Sequence, residues 1–156
     1  MDRKIAGFSL FEVLIVIAII SILMFFSINW YLRYQSQRLL QQAANNIANE
    51  LGWIKAQSIG SVPHGIFIDD NNRRRYIIFR DNNLDCNRNI DGSEDIRTVN
   101  LPNTVNATAG IVITVDRRGY PLNAICGLGM QTIRLREDFG NEKEVIIDRY
   151  GRIRIQ

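Results

Sequence analysis

The sequence predicts an α+β protein in which one long N-terminal helix packs on an antiparallel β-sheet head. The first 60 residues hold an apolar stretch followed directly by an amphipathic one, as in a continuous helix with two different environments. The remainder is a series of short β-branched or alternating segments separated by turn residues. A helical block followed by a block of strands is typical of the α+β class.

The helix begins with a segment that is long and apolar enough to cross a membrane. At about 1.5 Å per residue, residues 8–28 span roughly 31 Å, which matches the ~30 Å hydrocarbon core of a bilayer. Arg3 and Lys4 precede this segment, so the positive-inside rule predicts a cytoplasmic N-terminus and an exported remainder. The polar side chains within the segment are Ser9, Glu12, Ser21 and Ser27.

The second half of the helix, residues 29–60, is predicted to cover the head. Between residues 40 and 54 apolar side chains recur at spacings of three and four, with Gln and Asn on the opposite face. Gly60 and Pro63 then end the pattern. We therefore expect one helix over residues 8–59.

Residues 61–156 are predicted to form the β-rich head. Asp, Asn and Gly residues at 69–72, 116–119 and 148–151 are typical of hairpin turns. The predicted strands are residues 65–69, 75–80, 96–101, 111–116, 131–136, 144–148 and 152–155.

Glu12 is the one charged side chain within the apolar segment. A charge at the bilayer centre costs at least ~2.5 kcal/mol, so this carboxylate is expected to have a partner. One alternative is an ordinary secretory signal, but residues 25–30 (FFSINW) lack a small-residue cleavage site. Another alternative is local, because the first turn of any helix favours a carboxylate.

The stretch Gly7-Phe8-Ser9-Leu10-Phe11-Glu12, with the apolar run after it, resembles the N-terminus of type IV pilin-like proteins. The resemblance implies that prepilin peptidase cleaves after Gly7 and that the new N-terminal Phe8 is N-methylated. Residues 1–7 are then a leader, and 149 residues remain. It also implies a role in filament assembly for Glu12, whose carboxylate can neutralise the terminal amine of a neighbouring subunit.

Two further stretches resemble the H-type pseudopilins of type II secretion systems and the FimT-like minor pilins: residues 51–59 and the ending Gly151-Arg152-Ile153-Arg154. The resemblance implies a pilin-like fold and a structural subunit of a type II secretion pseudopilus or type IV pilus. Such a subunit spans the bacterial inner membrane once, exposes its head to the periplasm and binds other pilins or pseudopilins. Many family members kink the helix at a proline where this chain has Asn29.

Four arginines in the last strands make DNA an alternative partner. Strand alternation puts Arg134 and Arg136 on one face, and Arg152 and Arg154 on one face of the final strand. If the strands are neighbours, these side chains form a cationic ridge able to follow a phosphate backbone. The Gly-Arg-x-Arg ending also resembles FimT-like pilins that capture DNA. Alternatively, the arginines keep an exposed sheet soluble and pair with nearby acidic residues; the net charge of +3 selects no partner.

Cys86 and Cys126 are the only cysteines and lie 40 residues apart. In an exported head a disulfide between them would persist, although two unpaired thiols in loops are the alternative. Their spacing fits no metal motif, since His64 is the single histidine. Without a Ser-His-Asp or Cys-His pairing or a phosphate loop, we predict neither an enzyme nor a cofactor.

The acidic loop at residues 81–95 raises the question of calcium. Asn87-x-Asn89-x-Asp91-Gly92 matches the first half of an EF-hand loop. Thr98 stands where that loop needs a bidentate glutamate. Because Asp, Asn and Gly are also good turn formers, the sequence is compatible with a solvated loop, and we assign no metal site.

Overall fold

A computed structural model describes residues 10–156, apart from the side chain of residue 26. It confirms the predicted α+β class, with one long N-terminal helix and antiparallel strands. The chain divides into two compact units, one ending at Gln35 and the other running from Ser36 to Gln156. The elements are α1 (Leu10–Ser58), β1 (His64–Ile68), β2 (Arg75–Arg80), β3 (Asp95–Asn100), β4 (Val105–Ala107), β5 (Ile111–Val115), β6 (Pro121–Leu122), β7 (Gln131–Glu137), β8 (Glu142–Ile147) and β9 (Ile153–Ile155).

The first unit holds the apolar part of α1. Its large apolar side chains from Leu10 to Met24 are between 45% and 78% exposed, and the helix is long and apolar enough to cross a membrane. Two of its polar side chains bond to the helix itself: the Ser21 and Ser27 hydroxyls each donate to the carbonyl four residues earlier, at 2.8 and 2.9 Å. The helix continues through Asn29.

In the second unit, α1 buries the face that the spacing of its apolar residues predicts. Leu40, Ala43, Ala44, Ile47, Leu51 and Ile54 are all buried in one core with side chains from both sheets. The helix ends at Ser58, one residue before the predicted end, and the Ser58 hydroxyl accepts a 2.9 Å hydrogen bond from the His64 N–H. This bond joins the helix end to the first strand.

The strands form two antiparallel sheets. One has five strands in the order β3-β2-β1-β5-β6, and the other has four in the order β4-β7-β8-β9. The three predicted turns join the neighbouring pairs β1/β2, β5/β6 and β8/β9. The seven predicted strands are present, with ends that differ from the prediction by at most two residues, whereas β4 and β6 were not predicted.

Candidate functional site

The predicted cleavage and methylation residues, Gly7 and Phe8, lie outside the described residues. Glu12 lies in the first described turn of α1, and its side chain is exposed. No other charged residue follows it in the helix before Arg33. Glu12 forms no hydrogen bond or ion pair with another residue between 10 and 156. Its carboxylate is therefore available to a partner outside the described residues.

Arg134 and Arg136 of the predicted ridge lie on the exposed face of β7. Each stands directly opposite a glutamate of β8, Arg134 opposite Glu144 and Arg136 opposite Glu142. In both pairs the arginine Nε donates to a glutamate Oε1 at 2.6 Å. These two positive charges are therefore neutralised by cross-strand partners, as one of the sequence alternatives expects.

Arg154 lies in β9, the edge strand of the same four-stranded sheet, and Arg152 lies just before that strand. Arg152 donates to the Asp148 carboxylate at 2.7 Å, across the turn that precedes β9. Backbone N–H donation from Arg152 is the main cause that lowers the pKa of Asp148, and the guanidinium adds to it. Arg154 pairs with Ile146, which pairs with Thr132. Arg134 is two residues after Thr132 in β7, so Arg154 and Arg134 lie on the same face of the sheet. No carboxylate of the described residues lies within 4.0 Å of Arg154. Three of the four ridge arginines are thus paired with carboxylates.

The buried carboxylates of the acidic loop between β2 and β3 accept hydrogen bonds from the backbone of the same loop. Asp81 accepts from the backbone N–H groups of Asp85 at 3.1 Å and Cys86 at 2.9 Å. Glu94 accepts from those of Asn82 at 2.8 Å and Asn89 at 3.2 Å. No group of three His, Cys, Asp or Glu side chains within residues 10–156 is arranged to hold a metal ion. The geometry favours the interpretation of residues 81–95 as a loop of hydrogen-bonded turns.

Cys86 and Cys126 are joined by a disulfide in the structure, with their Cα atoms 5.3 Å apart. The bridge ties the β2–β3 loop to the loop between β6 and β7. In the chain-entropy model, closing a loop of this length stabilises the folded state by about 4 kcal/mol. The disulfide therefore holds two surface loops in fixed relation to each other.

A buried hydrogen bond between α1 and the β7–β8 hairpin was not predicted from the sequence. The Ser36 hydroxyl donates to Glu137 Oε2 at 2.6 Å, and Glu137 is only 2% exposed. Glu137 also accepts from the backbone N–H of Phe139 at 3.0 Å and from the Asn141 amide at 2.6 Å. Burial alone would raise the pKa of Glu137, but these hydrogen bonds outweigh it and hold the pKa below its usual range.

This network predicts how the stability of the head depends on pH. Since the folded pKa of Glu137 is lowered, its contribution is complete above the unfolded value of about 4.3 and is lost as the pH falls through the folded pKa. We expect Glu137→Gln to lower the free energy of unfolding by about 1–3 kcal/mol at pH 7. Urea unfolding of residues 31–156 at pH 7 and pH 3 measures both effects, with Asp138→Asn, an exposed residue of the same hairpin turn, as the control. An equal loss at both pH values would contradict an ionised Glu137.

A second unpredicted feature is a groove of about 420 Å³ on the surface of the second unit. It lies where the β6–β7 loop meets the β8–β9 turn, and we call it the Tyr150 groove. The Arg149 and Arg152 guanidinium groups lie 4.9 and 5.9 Å from the centre of the Tyr150 ring. The groove is lined by Tyr120, Leu128, Gly129, Met130, Arg149 and Tyr150.

Comparison with known proteins identifies the N-terminal segment and the fold. Residues 2–28 match the family model described as the prokaryotic N-terminal methylation motif. Two crystal forms of the type IV minor pilin FimU from Pseudomonas aeruginosa have the same fold, with TM-scores of 0.55 and 0.57 at 14% identity. The chain thus combines an N-terminal methylation motif with a pilin-like fold.

The structural alignments extend over most of the chain. They cover 75% and 79% of it and 92% of FimU. The minor pseudopilin EpsH of the type 2 secretion system of Vibrio cholerae matches with a TM-score of 0.53 at 12% identity, covering 75% of this chain and 95% of EpsH. No curated protein matches the sequence. At these identities the structural likeness establishes a minor pilin or pseudopilin type of fold.

Proposed function

We propose that this pilin-like protein is a minor pilin or pseudopilin, a structural subunit of a type IV pilus or of a type II secretion pseudopilus. One observation carries the proposal: the methylation motif at residues 2–28 coincides with an apolar helix whose single charge before Arg33 is Glu12. The function is to bind neighbouring subunits rather than to transform a substrate. A deletion strain distinguishes the two machines. Loss of surface pili would indicate a type IV pilus, and loss of a secreted protein from the medium would indicate a type II secretion pseudopilus.

Processing is the first step of the proposed pathway. The precursor spans the inner membrane with residues 1–7 in the cytoplasm and its head in the periplasm. Prepilin peptidase cleaves between Gly7 and Phe8, and Phe8 is then N-methylated. The new amine is positively charged and lies at the start of a helix, where the dipole is also positive. A carboxylate in the same apolar environment is therefore strongly favoured as its partner.

The processing step predicts the mass of the mature protein. In a strain with the peptidase, we expect intact-mass measurement of the membrane protein to give a chain that starts at Phe8 and carries one added methyl group. Gly7→Val should leave the full 156-residue precursor, because a branched side chain replaces the residue after which the peptidase cuts. Ile5→Val, two positions earlier, is the matched control. A mature protein that begins at any other residue would contradict the assignment.

DNA capture is the second candidate function, and one observation favours it: Arg154 has no carboxylate partner among residues 10–156 and shares a sheet face with Arg134. Three of the four ridge arginines are nevertheless paired with carboxylates. Each paired arginine must exchange its carboxylate for a phosphate, so little net attraction remains. The face supports weak anion binding better than a strong DNA site.

For the DNA candidate we expect residues 31–156 to bind duplex DNA only at low salt, with a slope of about one released counterion in a plot of log K against log salt. Arg154→Ala should remove most of this binding, whereas Arg134→Ala should change it little. Fluorescence anisotropy across a salt series measures both variants. Binding that persists at physiological salt and needs all four arginines would instead support a DNA receptor.

A further inference from the structure

A loop between β2 and β3 presents one apolar side chain entirely to solvent. Ile90 is 99% exposed, and it stands between Asn89 and Asp91 in a loop that is otherwise polar around it. A single exposed apolar residue is common on protein surfaces and carries no meaning by itself. Ile90 is nevertheless of interest because several bonds hold its loop in one conformation.

Three kinds of bond fix this loop. The Glu94 carboxylate, after Ile90 in the loop, accepts from the N–H groups of Asn82 and Asn89, which precede Ile90. Arg88 donates to both carboxylate oxygens of Asp95 at 2.6 Å. The Cys86 disulfide anchors the loop to its neighbour. Ile90 is therefore presented in a preorganised position, and little conformational entropy is lost when it binds a partner.

The Tyr150 groove is concave, whereas Ile90 projects into solvent, and the groove is lined partly by apolar side chains. Its walls include Leu128 and Met130, both exposed, and the ring of Tyr150 held by two guanidinium groups. Aromatic, methionine and arginine side chains are the types enriched at protein interfaces. The groove offers an apolar floor with a cation at its rim.

The charges beside the two features are complementary. Within residues 10–156, Arg149 has no carboxylate within 4.0 Å; its guanidinium lies over Tyr150. The Asp91 carboxylate next to Ile90 accepts hydrogen bonds from the N–H and the hydroxyl of Ser93, at 3.0 and 2.8 Å, and no described cation lies within 4.0 Å of it. An apolar side chain beside an unpaired carboxylate thus matches an apolar groove beside an unpaired guanidinium.

We propose that the Tyr150 groove of one copy of this chain receives Ile90 of a second copy, with Asp91 pairing with Arg149 at the rim. The proposal rests on the proposed function, because it names a surface through which filament subunits touch. The loop and the groove are different surface features, although the Cys86–Cys126 bond joins the segments that carry them, and a contact in which each copy offers its loop to the groove of the next copy is heterologous. Heterologous contacts repeat head-to-tail and build open helical assemblies.

The contact is small, with one apolar side chain and one exposed ion pair, and it is weak between free heads. Anchoring two copies through α1 in the same membrane or filament raises their effective concentration and makes a weak contact significant. The interface is therefore best measured with the full chain in lipid.

Site-directed disulfide formation between copies tests the proposal. Two full-length chains with different affinity tags, one carrying Ile90→Cys and the other Met130→Cys, are reconstituted together in phospholipid vesicles and mildly oxidised. We expect a mixed dimer that carries both tags, in several-fold higher yield than when Asn103→Cys, exposed in another loop, replaces Ile90→Cys. The native Cys86–Cys126 bond stays intact and is verified by peptide mapping.

Charge reversal supplies the second measurement. Arg149→Glu in the chain with Met130→Cys should lower the yield of mixed dimer several-fold, and Asp91→Arg in the partner chain should restore it. A yield equal to that of the Asn103 control, or reversal without effect, would overturn the proposal. In cells, cross-linking of Met130→Cys to a different protein alone would assign the groove to another subunit. The vesicle assay contains no assembly machinery, so its failure is separate from a failure of incorporation through Glu12.

Discussion

Replacing Glu12 by alanine is expected to abolish incorporation of the protein into filaments while its insertion into the membrane stays normal. Removing a charge makes the apolar segment of α1 more compatible with lipid, so the precursor still inserts. In the proposed assembly pathway, however, the mature N-terminal amine of one subunit loses the carboxylate of its neighbour that would neutralise it. Burying an unpaired charge costs several kcal/mol, which corresponds to at least a hundredfold loss of incorporation.

The measurement compares the protein in sheared filament fractions with the protein in the inner membrane. Glu12→Asp keeps the charge and should retain part of the incorporation, whereas Glu12→Gln keeps the shape but should fail like alanine. Ser21→Ala, in the same apolar helix, is the matched control because its hydroxyl bonds only to the helix backbone. Wild-type levels of Glu12→Gln in the filaments would show that the negative charge has no part in assembly.

Gly151→Ala is expected to destabilise the head strongly, although it adds only one methyl group. Gly151 has a φ of +75°, and an added Cβ would lie 2.2 Å from the backbone oxygen of Gly119. The left-handed backbone costs about 1–2 kcal/mol for a residue with a Cβ. The clash costs a further ~1–3 kcal/mol, and it also displaces Lys55, whose ammonium donates to the Gly151 carbonyl at 2.8 Å.

Gly60 separates the two causes of this destabilisation. Its φ of +72° is nearly the same, but a Cβ there meets no atom within 4 Å. We therefore expect Gly60→Ala to lower the free energy of unfolding by the backbone cost alone and Gly151→Ala by about twice as much or more. Urea unfolding of residues 31–156 compares the two. Equal losses would mean that the Gly119 backbone moves aside easily. The glycine of the Gly-Arg-x-Arg ending would in that case lack the steric role that we assign to it.

The periodic parts of the fold could be predicted from the sequence. Apolar spacing identified the buried face of α1, and alternation placed Arg134 and Arg136 on the exposed face of β7. The missed strands, β4 and β6, are three and two residues long. A segment of that length shows no period, and it becomes a strand because a longer neighbour pairs with it.

Features built from distant parts of the chain could not be predicted. Ser36 and Glu137 are separated by 101 residues, and neither lies in a motif that would point to the other. The partners of the ridge arginines depended on the β7–β8 register, which sets Glu142 and Glu144 directly opposite them. The sequence allowed both a cationic ridge and an ion-paired face. The Tyr150 groove likewise combines side chains from three separate segments.

The position of β9 determines when the head can complete its folding during synthesis of the chain. Ile153 and Ile155 pack against the core that α1 begins at Leu40, and β9 is the edge strand of its sheet. The core of the head therefore stays incomplete until Ile153 and Ile155 have been synthesised. The apolar start of α1 emerges from the ribosome long before then. Its partition into lipid and the folding of the head are consequently separate kinetic steps, and the slow step belongs to the non-local β pairing.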